Sequence, residues 1–263
     1  NPNNVTFQEM MTSVSEVQED VNNVNNMVVT YTSKPSGYFP IAMTEFNSKT
    51  GEREISMANA IFIGRVLGEQ IKNQLGMSLI WSFQNGLDSF GGDHGITARN
   101  STVVPKNTPR PVYFVCRYAN QFFGDKMIWS YSNDTSVNSY VTKFSNGDLG
   151  ILVINHSSQT EIIEFDFGST NLKSNFYWYE LYALDETDKK VFINGQTSTF
   201  LEGGPDDYTN IPAYTRLVNG NTKFEIKPYS LTFIANSNSS ISQISNYNCK
   251  LSFTNPFEND LTF

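Results

Sequence analysis

The sequence predicts an α/β region followed by an all-β region, and three observations carry that reading. Apolar residues recur at helical spacing up to about residue 123, with dense strand-like runs between the stripes. From about Ile128 the texture changes to short β-rich runs separated by turn signals. Within them, Asn146-Gly147 lies between two such runs and marks a hairpin. With 263 residues, 39% hydrophobic and 14% aromatic, the chain can bury a sizeable core in one large domain or two modest ones.

The elements follow in order. Met10, Val14, Val17, Val21, Val24 and Val28 recur at steps of four and three with polar residues between them, so residues 7–26 read as one amphipathic helix that packs against a sheet. After the turn material Ser33-Lys34-Pro35-Ser36-Gly37, the run from Phe39 to Glu45 reads as a buried strand ending on a carboxylate. Met57, Ala60, Ile61, Gly64, Leu67, Ile71 and Leu75 trace a second helix, with Gly76 expected as its C-cap. Residues 77–83 form a dense apolar strand. A loop containing Gly86, Gly91, Gly92 and Gly95 then leads through Pro105, Pro109 and Pro111 to a helix over residues 112–123. This alternation implies a parallel sheet, of which two strands are visible. Strands at 137–144, 149–155, 161–167, 176–184, 191–194 and 224–235 then imply an antiparallel sandwich. Tyr177, Trp178 and Tyr179 read either as a sugar-stacking platform or as alternating core and surface aromatics of one strand, and strand propensity favours the second.

Composition narrows the chemistry. A net charge of −8 and a pI near 4.8 argue against nucleic acid and anionic membrane as partners. No apolar run approaches the roughly 20 residues of a membrane helix, and the start at Asn1 reads as a processed or truncated product. Cys116 and Cys249 exclude a disulfide framework and lack metal-ligand spacing, while His94 and His156 are the whole histidine complement. Multi-histidine zinc sites and Ser-His-Asp machinery therefore have little to draw on, which leaves carboxylate chemistry. No glycine-rich phosphate loop opens a helix after either strand, so dinucleotide and ATP chemistry are disfavoured. No metal or cofactor is expected.

Periodicity alone leaves barrel and open sheet undecided; a family resemblance separates them. Thr44-Glu45-Phe46-Asn47 resembles the nucleophile motif at the end of the seventh strand of retaining clan A glycoside hydrolases. Ile80-Trp81-Ser82-Phe83 is similar to their eighth strand, and Arg110-Pro111-Val112-Tyr113 to the start of their last barrel helix. Val191-Phe192-Ile193-Asn194-Gly195, Gly203-Gly204-Pro205, Tyr208, Ile211-Pro212-Ala213-Tyr214 and Lys227-Pro228-Tyr229-Ser230-Leu231 resemble the appended β-sandwich of the agarase and porphyranase family. A weaker resemblance is to the β-xylosidase and α-iduronidase family and to arabinofuranosidases. The likeness covers roughly residues 5–237. It implies that residues 1–127 are the C-terminal portion of a (β/α)₈ barrel and that 128–237 are a β-sandwich. Residues 238–263 are then a linker leading to Asn255-Pro256-Phe257, which resembles the opening of a C-terminal sorting domain. The implied activity is retaining hydrolysis of a β-galactan such as agarose or porphyran by a secreted or cell-surface bacterial enzyme.

By the same resemblance Glu45 is the nucleophile. The acid/base glutamate of these families follows an asparagine at the end of the fourth strand, which has no counterpart here, so a second chain or missing segment is expected to supply it. Glu52, Glu54, Asp88 and Asp93 read instead as solvated loop acids. Trp81 is expected as an aromatic floor for the sugar, with Asn47, Gln84, Asn85 and Asp88 as hydroxyl-binding groups on the same rim. His94 has three readings: it touches substrate, pairs with Asp93 in a small metal site, or is satisfied by backbone. Arg99, Lys106 and Arg110 would face the sulfate groups of a sulfated galactan. The competing class is a non-catalytic module that binds carbohydrate or supports a partner chain, and burial of Glu45 away from any cleft would favour it. In either class, a two-stranded barrel fragment exposes sheet edges and apolar helix faces.

Overall fold

A computed structural model describes residues 1–238, and the Asn255-Pro256-Phe257 motif and Cys249 lie outside the described residues. The first part holds α1 (Phe7–Ser13), α2 (Glu16–Thr32), β1 (Ala42–Phe46), α3 (Met57–Lys72), β2 (Met77–Ile80) and α4 (Pro111–Phe122). β1 and β2 pair in parallel, as helix–strand alternation requires. The second part is antiparallel: β3 (Lys126–Ile128), β4 (Val137–Lys143), β5 (Leu149–Asn155), β6 (Glu161–Glu164), β7 (Asn175–Tyr182), β8 (Phe192–Ile193), β9 (Gln196–Thr197), β10 (Tyr214–Leu217), β11 (Lys223–Ile226) and β12 (Ser230–Ser237).

The large sheet runs β3-β4-β5-β12-β7-β8-β9, with β10 added to β7. One of its faces carries Tyr140, Leu152, Ile154, Leu181, Leu231 and Phe233 against Ile61, Phe114, Tyr118 and Phe122 of α3 and α4. Its other face carries Val137, Ile151, Val153, Phe176 and Ile234 against Phe224 and Ile226 of the small β6–β11 sheet. β5 and β12 are therefore buried along their whole lengths; β5 reads accordingly as a near-continuous apolar run, while β12 takes Ser230, Thr232, Asn236 and Ser237 into the interior with its apolar residues. α3 approaches the sheet closely through Gly64 and Gly68, where a Cβ would meet Leu231 and Tyr140.

Several elements differ from the sequence expectation for local reasons. The single N-terminal helix is two, and the second runs on to Thr32. α1 starts with a capping box in which Glu9 N donates to Thr6 Oγ1 and Thr6 N donates to Glu9 Oε2. Gly76 is not the cap of α3. The turn beyond Lys72 is made by Gln74 at φ 59°, and Gly76 N donates instead to Ile41 O beside β1. Residues 224–235 form two strands in different sheets, split at the Lys227-Pro228-Tyr229 turn, and the short strands β3, β9 and β10 carry too few residues to show a period. The Tyr177-Trp178-Tyr179 run is core material. Tyr179 stacks on Tyr118 at 4.6 Å and Trp178 packs on Tyr214 and Phe224.

His156 follows β5, where its backbone N–H donates to Ser136 O. Burial, reinforced by the Arg65 charge, depresses its imidazole to about 4 from an ordinary 6.5. The folded chain thus binds this proton more weakly than the unfolded one, so His156 favours folding above pH 6.5 and that contribution is lost as pH falls toward 4. Urea midpoints of wild type and His156→Gln between pH 7 and 4.5 should converge as pH drops; parallel profiles would refute the assignment.

Candidate active site

Because β1 and β2 are parallel, their C-terminal ends lie side by side and the loops that follow, 47–56 and 81–110, form one lip. The pairing slips by one residue between Met43 and Phe46, a bulge that contains Thr44 and Glu45. Phe46 and Ile80 pack toward the helical core, while Glu45 is exposed. Alternation from Ile80 turns Leu79 and Trp81 to the other face, where Trp81 is 52% exposed. The Trp81–Ser82 peptide is cis.

Asn47 ties the two strand ends together. Its Nδ2 donates to Trp81 O at 2.5 Å and to His94 O at 3.1 Å, and its Oδ1 accepts from Ser48 N and from Asn59 Nδ2. Trp81 N in turn donates to Phe46 O at 3.0 Å. Asn59, buried in the first turn of α3, also donates to Glu54 O and accepts from Ser48 Oγ. Sequence reading missed Asn59, although an amide between Ala58 and Ala60 in an apolar stripe is a signal of a buried polar tie. Asn47→Ala removes donors from two carbonyls and takes from the Asn59 amide one of its two acceptors, so it should cost about 1–3 kcal/mol of unfolding free energy. The same variant should also shift Trp81 fluorescence. An unchanged urea midpoint would show that Asn47 bears no such role.

Behind this tie sit two acids that the sequence suggested were solvated and that the structure buries. Glu54 is 2% exposed; its Oε1 accepts from Thr50 N and Gly51 N at 3.0 and 3.2 Å, and its Oε2 faces His94 Nε2 at 3.3 Å. Burial pushes its carboxyl above the ordinary glutamate range, with His94 and then Lys49 pulling the other way. Asp93 is 1% exposed, accepting from Gly86 N and Gly95 N and pairing with Arg110 at 2.8 Å. Loop amides and nearby basic side chains make these burials tolerable, and only the folded loops bring them together. His94 is therefore set against Glu54, not Asp93, and Arg110, 4% exposed, is a buried counter-ion and not a surface charge for sulfate.

The remaining rim residues also tie loops. Gln84 Nε2 donates to Asn107 Oδ1 and Ala98 O, and Asn85 O accepts from Arg99. Asp88 accepts from Phe90 N and Gly92 N and pairs with Lys49 at 2.5 Å, and the Lys49 ammonium first of all holds its carboxyl below the ordinary range. Glu52 does lie in solvent, paired with Lys189. A cleft of about 730 Å³ opens between α1 and the 47–50 loop, but neither Glu45 nor Trp81 lines it. Both project instead from a two-stranded sheet that has no further strand among the described residues.

No protein-family model matches the chain, and no match is found among curated proteins. Solved structures do match. An α-L-arabinofuranosidase from Thermotoga maritima aligns over 88% of this chain and 50% of its own, with TM-score 0.58 and 15% identity. The fold is shared with glycoside hydrolases. A family 44 xyloglucanase from Paenibacillus polymyxa aligns over 82% of this chain and 35% of its own, with TM-score 0.54 and 15% identity. A bifunctional glucanase-xylanase from a metagenome library gives TM-score 0.54 at 16% identity, over 84% of this chain and 34% of its own. The chain thus spans about a third to a half of the length of these structures.

Proposed function

We propose that the chain supplies the nucleophile half of a retaining glycoside hydrolase, with residues 1–127 closing a (β/α)₈ barrel and 128–237 forming its appended β-sandwich. The observation that carries this reading is the emergence of Glu45 and Trp81 at the same end of two adjacent parallel strands, locked together by Asn47. Barrel enzymes build their sites at that end. Exposure of Glu45 supports a catalytic over a purely supporting role.

In this mechanism the Glu45 carboxylate attacks the anomeric carbon and forms a glycosyl ester, while a second carboxyl about 5 Å away protonates the departing oxygen and later activates water. The described acids at the lip do not suit that second role. Glu54 and Asp93 are buried under backbone amides, and Asp88 is paired with Lys49. The acid/base group is therefore assigned to a further segment or second chain that completes the barrel. Open edges on β1 and β2 and exposed Val24, Met27, Val29 and Tyr31 on α2 support such a partner, since parallel sheets are ordinarily covered.

For the substrate, the sequence resemblance supports a β-galactan such as agarose or porphyran. The structural likeness to arabinofuranosidases and xyloglucan- or xylan-cleaving enzymes favours a second reading, a plant-type glycan. With Arg110 buried, Arg99 and Lys106 remain for a sulfated chain. The sorting-like Asn255-Pro256-Phe257 motif supports secretion or cell-surface display. The test is release of reducing ends from agarose, porphyran, arabinan, xyloglucan and xylan by protein containing this chain and its completing segment, wild type against Glu45→Gln. Glycan binding without hydrolysis would favour the non-catalytic module.

A further inference from the structure

The β3 ladder ends at Ile128, and one side-chain bond carries its contact with β4 a little further. Lys126, Met127 and Ile128 face Lys143, Thr142 and Val141, and Ser130 Oγ still donates to Ser139 O at 3.0 Å. Continued past Ile128 by strict alternation, that register would set Trp129 level with Tyr140 and Tyr131 level with Asn138, on the sheet face that α3 covers. α3 reaches as far as Tyr140, whose ring lies against Gly68 and whose hydroxyl donates to Glu69. Beyond that contact Trp129 and Tyr131 stand 79% and 73% exposed, their rings 5.1 Å apart and inclined at 40°.

Two further groups bear on what this pair meets. Asn138 Oδ1 and His156 Nε2 are buried without a hydrogen-bond partner, and alternation along β4 and β5 places both residues on the same face as the rings. Both atoms are uncharged, His156 because its burial keeps the imidazole neutral, so the sheet beneath the rings is polar without carrying charge. Residues 129–136, Trp-Ser-Tyr-Ser-Asn-Asp-Thr-Ser, contain no aliphatic side chain. The one carboxylate among them, Asp134, is satisfied by Ser136 N and Oγ.

We propose that Trp129 and Tyr131 form a stacking platform for a neutral saccharide, separate from the Glu45 lip. A protein partner would call for an apolar centre around the rings. Two anchored aromatic faces among hydroxyls and amides instead match a pyranose, which presents a C–H face to stack and hydroxyls to hydrogen-bond. The inference rests on the glycosidase reading for its choice of glycans, and it assigns the β-rich part a role in holding the polymer while another part of the protein acts on it.

The test is retardation of the chain in native gels containing xyloglucan, arabinan or agarose. At least one glycan should retard the wild type. Trp129→Ala and Tyr131→Ala should each weaken that binding about tenfold or more, and Trp129→Phe should keep most of it. Retardation of Trp129→Ala equal to wild type, no retardation by any of the three, or Trp129 emission already blue-shifted by burial without glycan would each overturn the proposal. Retardation of the wild type without hydrolysis by the completed protein, or hydrolysis without retardation, separates failure of one reading from failure of the other.

Discussion

Glu45→Gln should lower glycoside hydrolysis by about three orders of magnitude or more while leaving the urea midpoint unchanged. In the proposed double displacement the carboxylate is the attacking group, and an amide of the same shape can neither attack nor form the ester. Comparable removal of a covalent nucleophile elsewhere costs up to about 10⁶ in rate. Stability should be indifferent because Glu45 is exposed in the β1 bulge and the strand ends are held by Asn47, Trp81 N and Phe46 O. A Glu45→Ala variant supplied with azide offers a sharper reading. A small anion in the vacated space should attack the same carbon and release a glycosyl azide of inverted configuration. Full activity of Glu45→Gln would remove Glu45 from the mechanism, and hydrolysis with no azide product would leave it an electrostatic role.

The largest stability loss outside the apolar core is expected at Arg110→Ala. Arg110 and Asp93 are both almost wholly buried and meet at 2.8 Å, with Glu202 a second anion at 3.7 Å. Removing the cation leaves Asp93 charged in a dry site, at a cost of about 3–5 kcal/mol. Asp93 also receives Gly86 N and Gly95 N, so the loop between β2 and α4 should loosen with it. Denaturant unfolding of Arg110→Ala, Asp93→Asn and the double variant measures the coupling. The double variant should recover part of the loss, since no charge remains buried at position 93, although Glu202 loses its cation and the loop amides lose their strongest acceptor. A single-variant loss below about 1 kcal/mol would mean that water reaches the pair.

Local pattern was legible wherever an element was long enough to show a period. The α3 stripe, the α4 helix, the Asn146-Gly147 hairpin and the apolar run of β5 all appear as the sequence suggests, because the spacing of apolar residues reports which side chains a regular element can bury. The division into helix–strand alternation and later antiparallel strands was legible for the same reason. Position along the chain likewise marked Glu45 as a strand-end carboxylate, whereas Trp81 read as the interior of a strand over residues 77–83 and lies just past Ile80, where β2 ends.

Contacts between distant loops were not legible, and these decide what the polar residues do. Glu54 meets His94 and Asp93 meets Arg110 across 40 and 17 positions, so no local spacing separates these buried acids from Glu52, which stays in solvent. Trp129 and Trp178 look alike as strand aromatics, yet one lies beyond the reach of α3 and the other packs under Phe224. The sequence by itself determined the elements, through periodicity of burial, and the chemistry available, through its scarcity of histidine and cysteine. The tertiary structure alone decided which charges are desolvated and which aromatics meet water, because burial is set by what packs on top of a residue and not by its neighbours along the chain.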